Sequence, residues 1–466
     1  MRILALDQGT TSTRLMAADA SGLHGLGQLR HRTCFPSAGW VEQDPTEILT
    51  NCKTLLAQAG VADAIALANQ GESCLGWDAL TKEPLSPIIV WQDRRTTAQL
   101  ALMSNQADEV ASLSGLPLDP YFSAAKLGWL LRENPAIAAA HAAGRLRLGT
   151  TDAFLLDALA GCFATDRATA SRTGLMNLAS GNWDARLCEV FGVPMTCLPE
   201  IRGNLAGFGQ IGGIPVAAAI VDQQAALYGH GCRNRGDAKI TFGTGAFALA
   251  VTGATPPLPQ GGLLPTVAWD LGAGMVYALD GGVQDAGSAI EWALRAGLAD
   301  NVAAFDSFDR PPAVARDLVF LPAFSGLGAP QWDRTAAPLM IGLGPDMTRR
   351  DICQALVEGI AFQTAALIDE LARAVPLSAP IAIDGGLSAS RYFTSFLAQA
   401  CQRDIVVAAV AECTAFGAAQ LAALALGTSL PAPVGAAKAI AAGPPMPDWH
   451  ARFATALARS CGWRVN

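Results

Sequence analysis

Several signatures of common protein classes are missing from this chain of 466 residues. No two of its 11 cysteines have the CxxC spacing of a zinc knuckle, and their number is odd. Scattered free thiols suit a reducing compartment better than a disulfide framework, so we expect a cytoplasmic protein. The five histidines are isolated from one another, which disfavours a His-rich metal site.

Charge is also scarce, at 15% of residues against 51% hydrophobic ones, and the formal net charge is −8. This composition predicts a compact globular protein. Because the chain has no basic stripe that could bind a phosphate backbone, we expect no nucleic-acid partner. Asp7 interrupts the first apolar run before a signal-peptide core forms. The apolar stretch 405–427 contains Glu412 and Gln420, so it predicts buried helix and strand and no membrane contact.

Two common types of nucleotide-binding site are not indicated by the sequence. No GxxxxGK[ST] segment occurs, which excludes a P-loop enzyme. One GxGxxG occurs at 207–212, but it runs into Ile-Pro and a strand-like segment where a dinucleotide site would open a helix. Neither fingerprint therefore explains what the chain binds.

The sequence does contain two similar β-hairpin patterns with small, hydroxyl-rich loops. Each is followed later by an apolar run that ends in a polar or glycine cluster. The hairpin runs are 2–6 with 14–18 and 239–242 with 246–251, and the later runs are 64–72 and 379–386. This repetition predicts an old internal duplication.

Helical patterns alternate with these strands. The segment 44–60 has Asp44 at the N-cap, Pro45 at the first helical position and Gly60 past the end. Further helical patterns follow from 348 and from 414. We predict an α/β protein of two lobes, 1–228 and 229–466, because glycines and charges concentrate around 229–239.

The hairpin loops are candidates for phosphate binding, since backbone N–H groups and hydroxyls in such turns can point together at anionic oxygens. Asp7, at the head of the first loop, would repel phosphate unless Mg²⁺ lay between them. Either loop alone is equally well explained as an ordinary tight turn. Asp222 ends another apolar run; it can serve as a helix N-cap or as a carboxylate that accepts the proton of an alcohol during phosphoryl transfer.

Nine segments resemble the FGGY carbohydrate kinases, most closely the glycerol kinase members, and they occur in the family's order through almost the whole chain. They are LDQGTTSTR (6–14), GWVEQDP (39–45), IVWQDRRT (89–96), GLPLDPYFSAAKLGWLL (115–131), SRTGLMNL (171–178), DQQAALYG (222–229), FGTGAF (242–247), PAFSGLGAPQWD (322–333) and DGGLSASRYF (384–393).

The resemblance implies a duplicated actin-like (ribonuclease H-like) fold, with the acceptor bound mainly by the first lobe and MgATP mainly by the second. It implies metal contacts from Asp7 and Asp222, with Asp222 also the general base. The implied ATP contacts are Thr10, Thr11, Ser12, Arg14, Gly243, Thr244, Gly245, Gly287, Glu291, Gly385, Gly386 and Ser390. The family often has Gln at the position of Glu291 and Asn at that of Ser390.

The acceptor pocket implied by the resemblance is formed by Glu72, Trp91, Tyr121, Asp222 and Phe247. An arginine that precedes the glutamate in glycerol-phosphorylating members is replaced here by Gly71. Loss of its charged hydrogen bond should weaken glycerol binding by roughly ten- to hundredfold if nothing replaces it. The smaller residue also leaves room for a longer polyol.

We therefore predict an ATP- and Mg²⁺-dependent kinase for a primary hydroxyl of a small polyol, glycerol or a longer one such as erythritol. A ketose kinase of the same family, similar to xylulokinases, is one alternative. A non-phosphorylating actin-like ATPase or sensor is the other, and the presence of Asp222 argues against it. The only expected partner is the small-molecule polyol or sugar; a homo-oligomer is left open.

Overall fold

The computed structural model describes residues 1–431 and 437–464, apart from the side chain of Pro447. In the first half of the chain the strands are β1 (Ile3–Gln8), β2 (Ser12–Asp19), β3 (Gly22–Arg30), β4 (Thr33–Cys34), β5 (Glu42–Gln43), β6 (Ala64–Asn69), β7 (Cys74–Asp78), β8 (Ile88–Ile89), β9 (Leu146–Thr150), β10 (Ala164–Asp166), β11 (Met176–Asn177), β12 (Asn182–Trp183), β13 (Glu200–Arg202), β14 (Gln210–Ile211) and β15 (Ile214–Val221). In the second half they are β16 (Ala238–Phe242), β17 (Ala246–Gly253), β18 (Leu264–Asp270), β19 (Met275–Val283), β20 (Val319–Leu321), β21 (Leu339–Ile341), β22 (Ile381–Gly385), β23 (Ile405–Val407) and β24 (Lys438–Ile440).

The α-helices alternate with the strands along most of the chain. They are α1 (Pro45–Gln58), α2 (Thr97–Leu102), α3 (Ala107–Ser114), α4 (Ser123–Glu133), α5 (Pro135–Ala142), α6 (Thr151–Ala160), α7 (Arg167–Ala170), α8 (Ala185–Phe191), α9 (Asp222–Gly229), α10 (Gly287–Arg295), α11 (Arg349–Ala374), α12 (Arg391–Cys401), α13 (Cys413–Ala425) and α14 (Pro447–Ser460).

Two large sheets with the same core topology organise the chain. The first has the order β14-β15-β6-β1-β2-β3, and the second has the order β18-β19-β17-β16-β22-β23-β24. In each, an antiparallel hairpin is followed by two parallel strands: β1–β2 with β6 and β15, and β16–β17 with β22 and β23. The predicted two-lobed α/β fold with a repeated hairpin is therefore confirmed.

Local sequence signals explain the first helix, α1. The Asp44 side chain accepts a hydrogen bond from the Thr46 backbone N–H at 2.8 Å, and Pro45 occupies the first turn. Ile48, Cys52 and Leu55 are buried along one face, where they join the core under the first sheet. The helix predicted from the capping pattern is thus present, ending at Gln58.

The longest helix, α11, is long and apolar enough to cross a membrane by composition alone. However, 89% of its most apolar window is buried inside the protein. Its buried face packs against α12 and β20. Thr348 and Asp351 form a capping box at its start. The helix is accordingly a core element of the second half.

Helices α9 and α13 join the two halves through close backbone contact. A Cβ atom added at Gly417 would lie 1.9 Å from the Ala225 carbonyl oxygen, and one added at Gly229 would lie 2.1 Å from that of Cys413. Helix α13 also contacts β1, β6 and β15 of the first sheet. Small residues at this crossing therefore bring both sheets close to one cleft.

Candidate active site

A strained turn between β6 and β7 carries Glu72. The Ser73 N–H donates to the Gly71 carbonyl at 2.7 Å, which closes a three-residue turn around Glu72. Glu72 has φ 59°, in the left-handed region that non-glycine residues rarely occupy. Strain of this kind persists where the surroundings enforce it, typically at functional sites. Ser123 Oγ fixes the turn by donating to the Glu72 carbonyl at 2.7 Å.

A chain of hydrogen bonds fastens this turn to the first hairpin loop. Gln70 Nε2 donates to Gln43 Oε1 at 3.0 Å, and Gln43 Nε2 donates to the Thr10 carbonyl at 2.6 Å. On its other side, Ser73 Oγ donates to Gln70 Oε1 at 3.1 Å and accepts from the Trp91 backbone N–H at 3.1 Å. The three segments are therefore held in a fixed mutual arrangement.

One cavity of about 170 Å³ lies where these segments meet the second hairpin loop. It is smaller than the roughly 300–1,000 Å³ typical of drug-sized ligand sites, which favours a small ligand. Its walls bring together residues predicted from distant parts of the sequence. These are Thr10, Gly71, Glu72, Trp91, Tyr121, Asp222, Gly243, Thr244 and Phe247.

Aromatic rings form one side of this cavity. The Trp91 ring lies edge-on to Tyr121 and Phe247, with centroid distances of 5.6 and 6.1 Å. Trp91 Nε1 donates to Thr10 Oγ1 at 3.1 Å. The rings offer apolar contact to a carbon chain, while the carboxylates on the other walls offer hydrogen-bond acceptors.

Asp222 begins helix α9 directly after strand β15, at the carboxyl edge of the first sheet. Burial, together with the charge of Asp7 and against the opposing charge of Lys239, raises the pKa of its carboxyl to about 7. Burial also raises the pKa of Glu72 to about 7, against the opposing effect of Arg172. Both carboxyls thus have a pKa near neutral pH, which suits acid–base catalysis at that pH.

Two residues that the sequence interpretation missed complete the cavity wall. Arg172 Nε donates to Glu72 Oε1 at 2.7 Å, and its Nη2 lies 2.9 Å from Asp280 Oδ2. Both Arg172 and Asp280 line the cavity. Arg172 lies within the quoted segment 171–178, but nothing in its spacing points to Glu72, 100 positions earlier.

The guanidinium beside Glu72 does not come from Arg94 or Arg95, the two arginines that follow Trp91. Arg95 is held by bonds from its Nη2 to Asp93 and Glu42, at 2.8 and 2.7 Å, and its guanidinium lies over the Trp40 ring. Arg94 lines a neighbouring cavity of about 280 Å³ that shares Trp91, Tyr121 and Thr244 with the first. Glu72 is therefore neutralised from a different part of the chain.

A buried lysine also supports the aromatic wall. The Lys126 ammonium, fully buried on α4, donates to the backbone carbonyls of Val90, Trp91 and Tyr121 at 3.0 to 3.2 Å. Burial lowers its pKa to about 8. One side chain thus ties together the two loops that carry the aromatic residues.

Other predicted residues of the first hairpin lie outside this cavity. Thr11 is exposed, and the Ser12 hydroxyl accepts a hydrogen bond from Gln28 Nε2 at 2.8 Å. The Arg14 guanidinium pairs with Glu412, which precedes α13. This ion pair links the first hairpin to the second half of the chain.

The predicted residues of the second half surround the other hairpin loop. Gly243 and Thr244 are exposed, whereas Gly245 is buried. The Gly287 N–H donates to the Gly243 carbonyl at 3.0 Å, so α10 begins against the loop. Glu291, on the same helix, is exposed.

The DGG segment lies beside this loop because β22 pairs with β16, with Gly385 opposite Phe242. Gly385 and Gly386 are exposed. Ser390 instead uses its hydroxyl within the chain: it donates to the Phe305 carbonyl at 2.8 Å and accepts from the Phe393 N–H. It therefore caps α12.

The sequence and the fold of this chain are similar to those of known proteins. Residues 2–229 match the N-terminal domain of the FGGY family of carbohydrate kinases, and residues 238–426 match its C-terminal domain. The chain belongs to the FGGY family of carbohydrate kinases. It is therefore a phosphotransferase, and ATP binding follows from the family.

Individual relatives extend this family membership over nearly the whole chain. A glycerol kinase of Alkalilimnicola ehrlichii is 39% identical, covering 99% of this chain and 98% of its own. The crystal structure of Plasmodium falciparum glycerol kinase with ADP has a TM-score of 0.86 at 29% identity, covering 98% of each chain. A ligand-bound xylulose kinase of Lactobacillus acidophilus shares the fold, with a TM-score of 0.84 at 21% identity and coverage of 98% and 96%.

The FGGY kinase has a carboxylate pair that suits a divalent cation. Asp7 is half-buried at the end of β1, and burial raises its pKa to about 6. Its charge also raises the pKa of Asp222, so the two carboxylates repel each other. Hard oxygen ligands with unbalanced negative charge are what Mg²⁺ prefers, and these two residues fit it.

Three further side chains of the FGGY kinase, including the aspartate of the DGG segment, lie close together. His230 Nε2 lies 3.3 Å from Asp384 Oδ2, and Cys413 Sγ lies 4.0 Å from His230 Nδ1. Burial raises the pKa of the Cys413 thiol well above its usual range, which keeps it protonated. These residues lie far apart in the sequence, and the crossing of α9 and α13 brings them together.

Proposed function

We propose that the protein transfers the γ-phosphoryl group of ATP to a primary hydroxyl of a small polyol. The observation that carries this proposal is the position of Asp222. Its carboxyl lies in a small cavity walled by aromatic rings and carboxylates, and loops of both hairpins, at Thr10 and at Gly243 and Thr244, reach the same cavity. A phosphoryl group held by the loops would face a hydroxyl held beside Asp222.

Asp222 acts in this mechanism as the general base. It accepts the proton of the attacking hydroxyl while the oxygen–phosphorus bond forms and the bond to the departing ADP oxygen breaks. Its raised pKa, about 7, makes the carboxylate a better proton acceptor than an exposed aspartate and leaves it substantially ionised at neutral pH.

The acceptor is oriented by the walls of the cavity. Glu72 accepts a hydrogen bond from a polyol hydroxyl, and the rings of Trp91 and Phe247 contact the carbon chain. The turn at Glu72 and the loop at Trp91 are tied to Thr10, so the walls that would hold the acceptor are fixed relative to the first hairpin loop.

The nucleotide is proposed to lie along the cleft beside the second half. The loop Gly243–Gly245, the start of α10 and the exposed glycines 385 and 386 form its surface there. Asp7 and Asp222 would hold Mg²⁺, which offsets the negative charge of the phosphates when bound. This assigns acceptor binding mainly to residues 1–228 and ATP binding mainly to 229–466.

Glycerol and a longer polyol such as erythritol are the proposed acceptors. Relatives named glycerol kinase, 39% identical over nearly the full chain, support glycerol. Arg172 supports it too, because a guanidinium already pairs with Glu72 although position 71 is glycine. The adjoining cavity beyond Trp91 and Tyr121 supports a longer acceptor.

The test is ADP release in the presence of Mg²⁺ and a panel of glycerol, erythritol, five-carbon polyols and ketoses. We expect turnover that depends on a small polyol, with the phosphorylated product identified by mass spectrometry. Preference for ketoses would move the substrate to the xylulokinase-like alternative. ATP hydrolysis that no acceptor accelerates would contradict the kinase proposal.

A further inference from the structure

Two buried polar atoms on the cavity wall have no hydrogen-bond partner among the described residues. They are Arg172 Nη1 and Asp280 Oδ1. The side chains that carry them are 4% and 9% exposed, and both line the cavity beside Glu72 and Asp222. Leaving a buried donor or acceptor without a partner is unfavourable, so such atoms are normally satisfied by protein, water or ligand.

The other polar atoms of the same two side chains are already engaged. Arg172 Nε donates to Glu72 at 2.7 Å, and Nη2 contacts Asp280 Oδ2 at 2.9 Å. These contacts fix the guanidinium and the carboxylate relative to each other. The two atoms without a partner, the donor Nη1 and the acceptor Oδ1, thus belong to two side chains that contact each other on the cavity wall.

A hydroxyl group matches such a pair, because it carries one O–H to donate and lone pairs to accept. A polyol presents several hydroxyls on neighbouring carbons, and Glu72 and Asp222 account for two of the acceptors that the cavity offers them. A further hydroxyl, away from the one that is phosphorylated, would satisfy both free atoms at once.

We infer that Arg172 and Asp280 form a hydroxyl-binding subsite that selects the acceptor, in place of an arginine at position 71. This inference rests on the proposed function. Arg172 follows α7 in the first half and Asp280 lies on β19 in the second. The bound hydroxyl would therefore contact residues from both halves of the chain.

The test compares acceptors that differ by one hydroxyl. Glycerol is paired with propane-1,2-diol and propane-1,3-diol, and erythritol with butane-1,2,3-triol and butane-1,2,4-triol. For wild type we expect kcat/KM to favour the full polyol by roughly ten- to hundredfold over the analogue that lacks the bound hydroxyl.

Asp280→Asn keeps the side-chain shape but turns an N–H towards the hydroxyl while its oxygen stays on Arg172. We expect this variant to lose at least fivefold of the selectivity, mainly through the KM of the full polyol. Arg172→Lys should lose selectivity for the same hydroxyl. Equal losses for full and deoxy acceptors in both variants would overturn the inference and leave these residues a purely structural role.

Asp270→Asn is the matched control. Asp270 ends β18, next to β19, and pairs with Arg167 across the same two halves, but it does not line the cavity. The substitution weakens an ion pair between the same two halves without changing the cavity wall. The selectivity ratio should therefore remain that of wild type. A ratio reduced as much as in Asp280→Asn would attribute the effect to the contact between the halves and overturn the subsite.

Calorimetric binding of the same polyols, with a non-hydrolysable ATP analogue and Mg²⁺, separates this inference from the proposed function. If no acceptor is phosphorylated but polyol binding depends on Asp280 and on one hydroxyl, the subsite stands and the kinase proposal fails. If acceptors are phosphorylated without that dependence, the subsite alone fails. If no polyol binds, both fail.

Discussion

Trp91 Nε1 donates a hydrogen bond to Thr10 Oγ1 at 3.1 Å, joining the aromatic wall of the cavity to the first hairpin loop. The two residues are 81 positions apart. In the proposed mechanism one contacts the acceptor and the other lies beside the phosphates. The bond therefore connects the two substrate sites directly.

Thr10→Val should weaken the binding of both substrates. The variant keeps the shape of Thr10 but leaves the indole N–H without its acceptor, at a cost of roughly 1–3 kcal/mol. We expect KM to rise severalfold for both ATP and the polyol, measured by varying each at saturating concentrations of the other. A rise confined to ATP would show that the contact does not link the sites.

Asp222→Asn should abolish most of the turnover while leaving substrate binding measurable. General-base catalysis typically supplies on the order of 10²–10⁴-fold, so kcat should fall within that range. Single-turnover measurements in a quench-flow instrument would report the chemical step. Near-normal turnover would remove Asp222 from the role of base; Asp108→Asn, at an exposed position of α3, is the control.

Activity should fall as the pH drops through about 7. Burial raises the pKa of Asp222 to about 7, and a base works only when deprotonated, so the loss lies on the acidic side. The measurement is kcat/KM for the acceptor against pH. In Lys239→Gln the removal of a cation that lowers the pKa of Asp222 should move this limb to higher pH, and a move to lower pH would contradict the assignment.

Gly71→Arg should change the choice of acceptor rather than simply restore a missing contact. A Cβ atom at position 71 would already lie 3.0 Å from Val221 Cγ2, and the Glu72 carboxylate already accepts a hydrogen bond from Arg172. The added side chain should reduce the space for long acceptors, so kcat/KM for erythritol should fall more than that for glycerol. Gly71→Ala controls for the steric effect of the Cβ alone; an unchanged ratio in Gly71→Arg would show that position 71 does not select the acceptor.

Lys126→Met should destabilise the fold and weaken acceptor binding together. The substitution leaves three backbone carbonyls without their buried donor, at a cost of about 2–4 kcal/mol. We expect a lower midpoint of thermal unfolding. We also expect the KM for the polyol to rise more than the KM for ATP. Lys53→Met, on the exposed side of α1, should change neither; an equal effect there would discount the role of Lys126.

The local elements were predictable because their signals are local. The hairpin strands predicted at 2–6 and 14–18 are β1 and β2, extended to Gln8 and from Ser12. Capping by Asp44 and Pro45 correctly predicted α1. The boundaries shifted by a few residues because strand pairing, which depends on the partner strand, continues into polar residues such as Asp7.

The grouping of Glu72, Trp91, Tyr121, Asp222 and Phe247 was implied by the family resemblance, and the structure places all five on one cavity. Their individual roles stay predictions. Composition and spacing alone gave no reason to join them, because aromatic residues with such spacing are usually part of a core.

What the sequence by itself determined was the kind of chemistry, since its motifs set the hairpin loops, the carboxylate at position 222 and the family. The charge balance of the cavity around Glu72 was decided only by tertiary structure. Gly71 indicated a missing guanidinium, yet Arg172 reaches Glu72 across 100 positions and is fixed there by Asp280 from the other half. The physical reason is that a buried carboxylate is stabilised by a counter-charge or hydrogen bonds from whichever chain segment folding brings within a few ångströms of it, and sequence separation does not limit that choice.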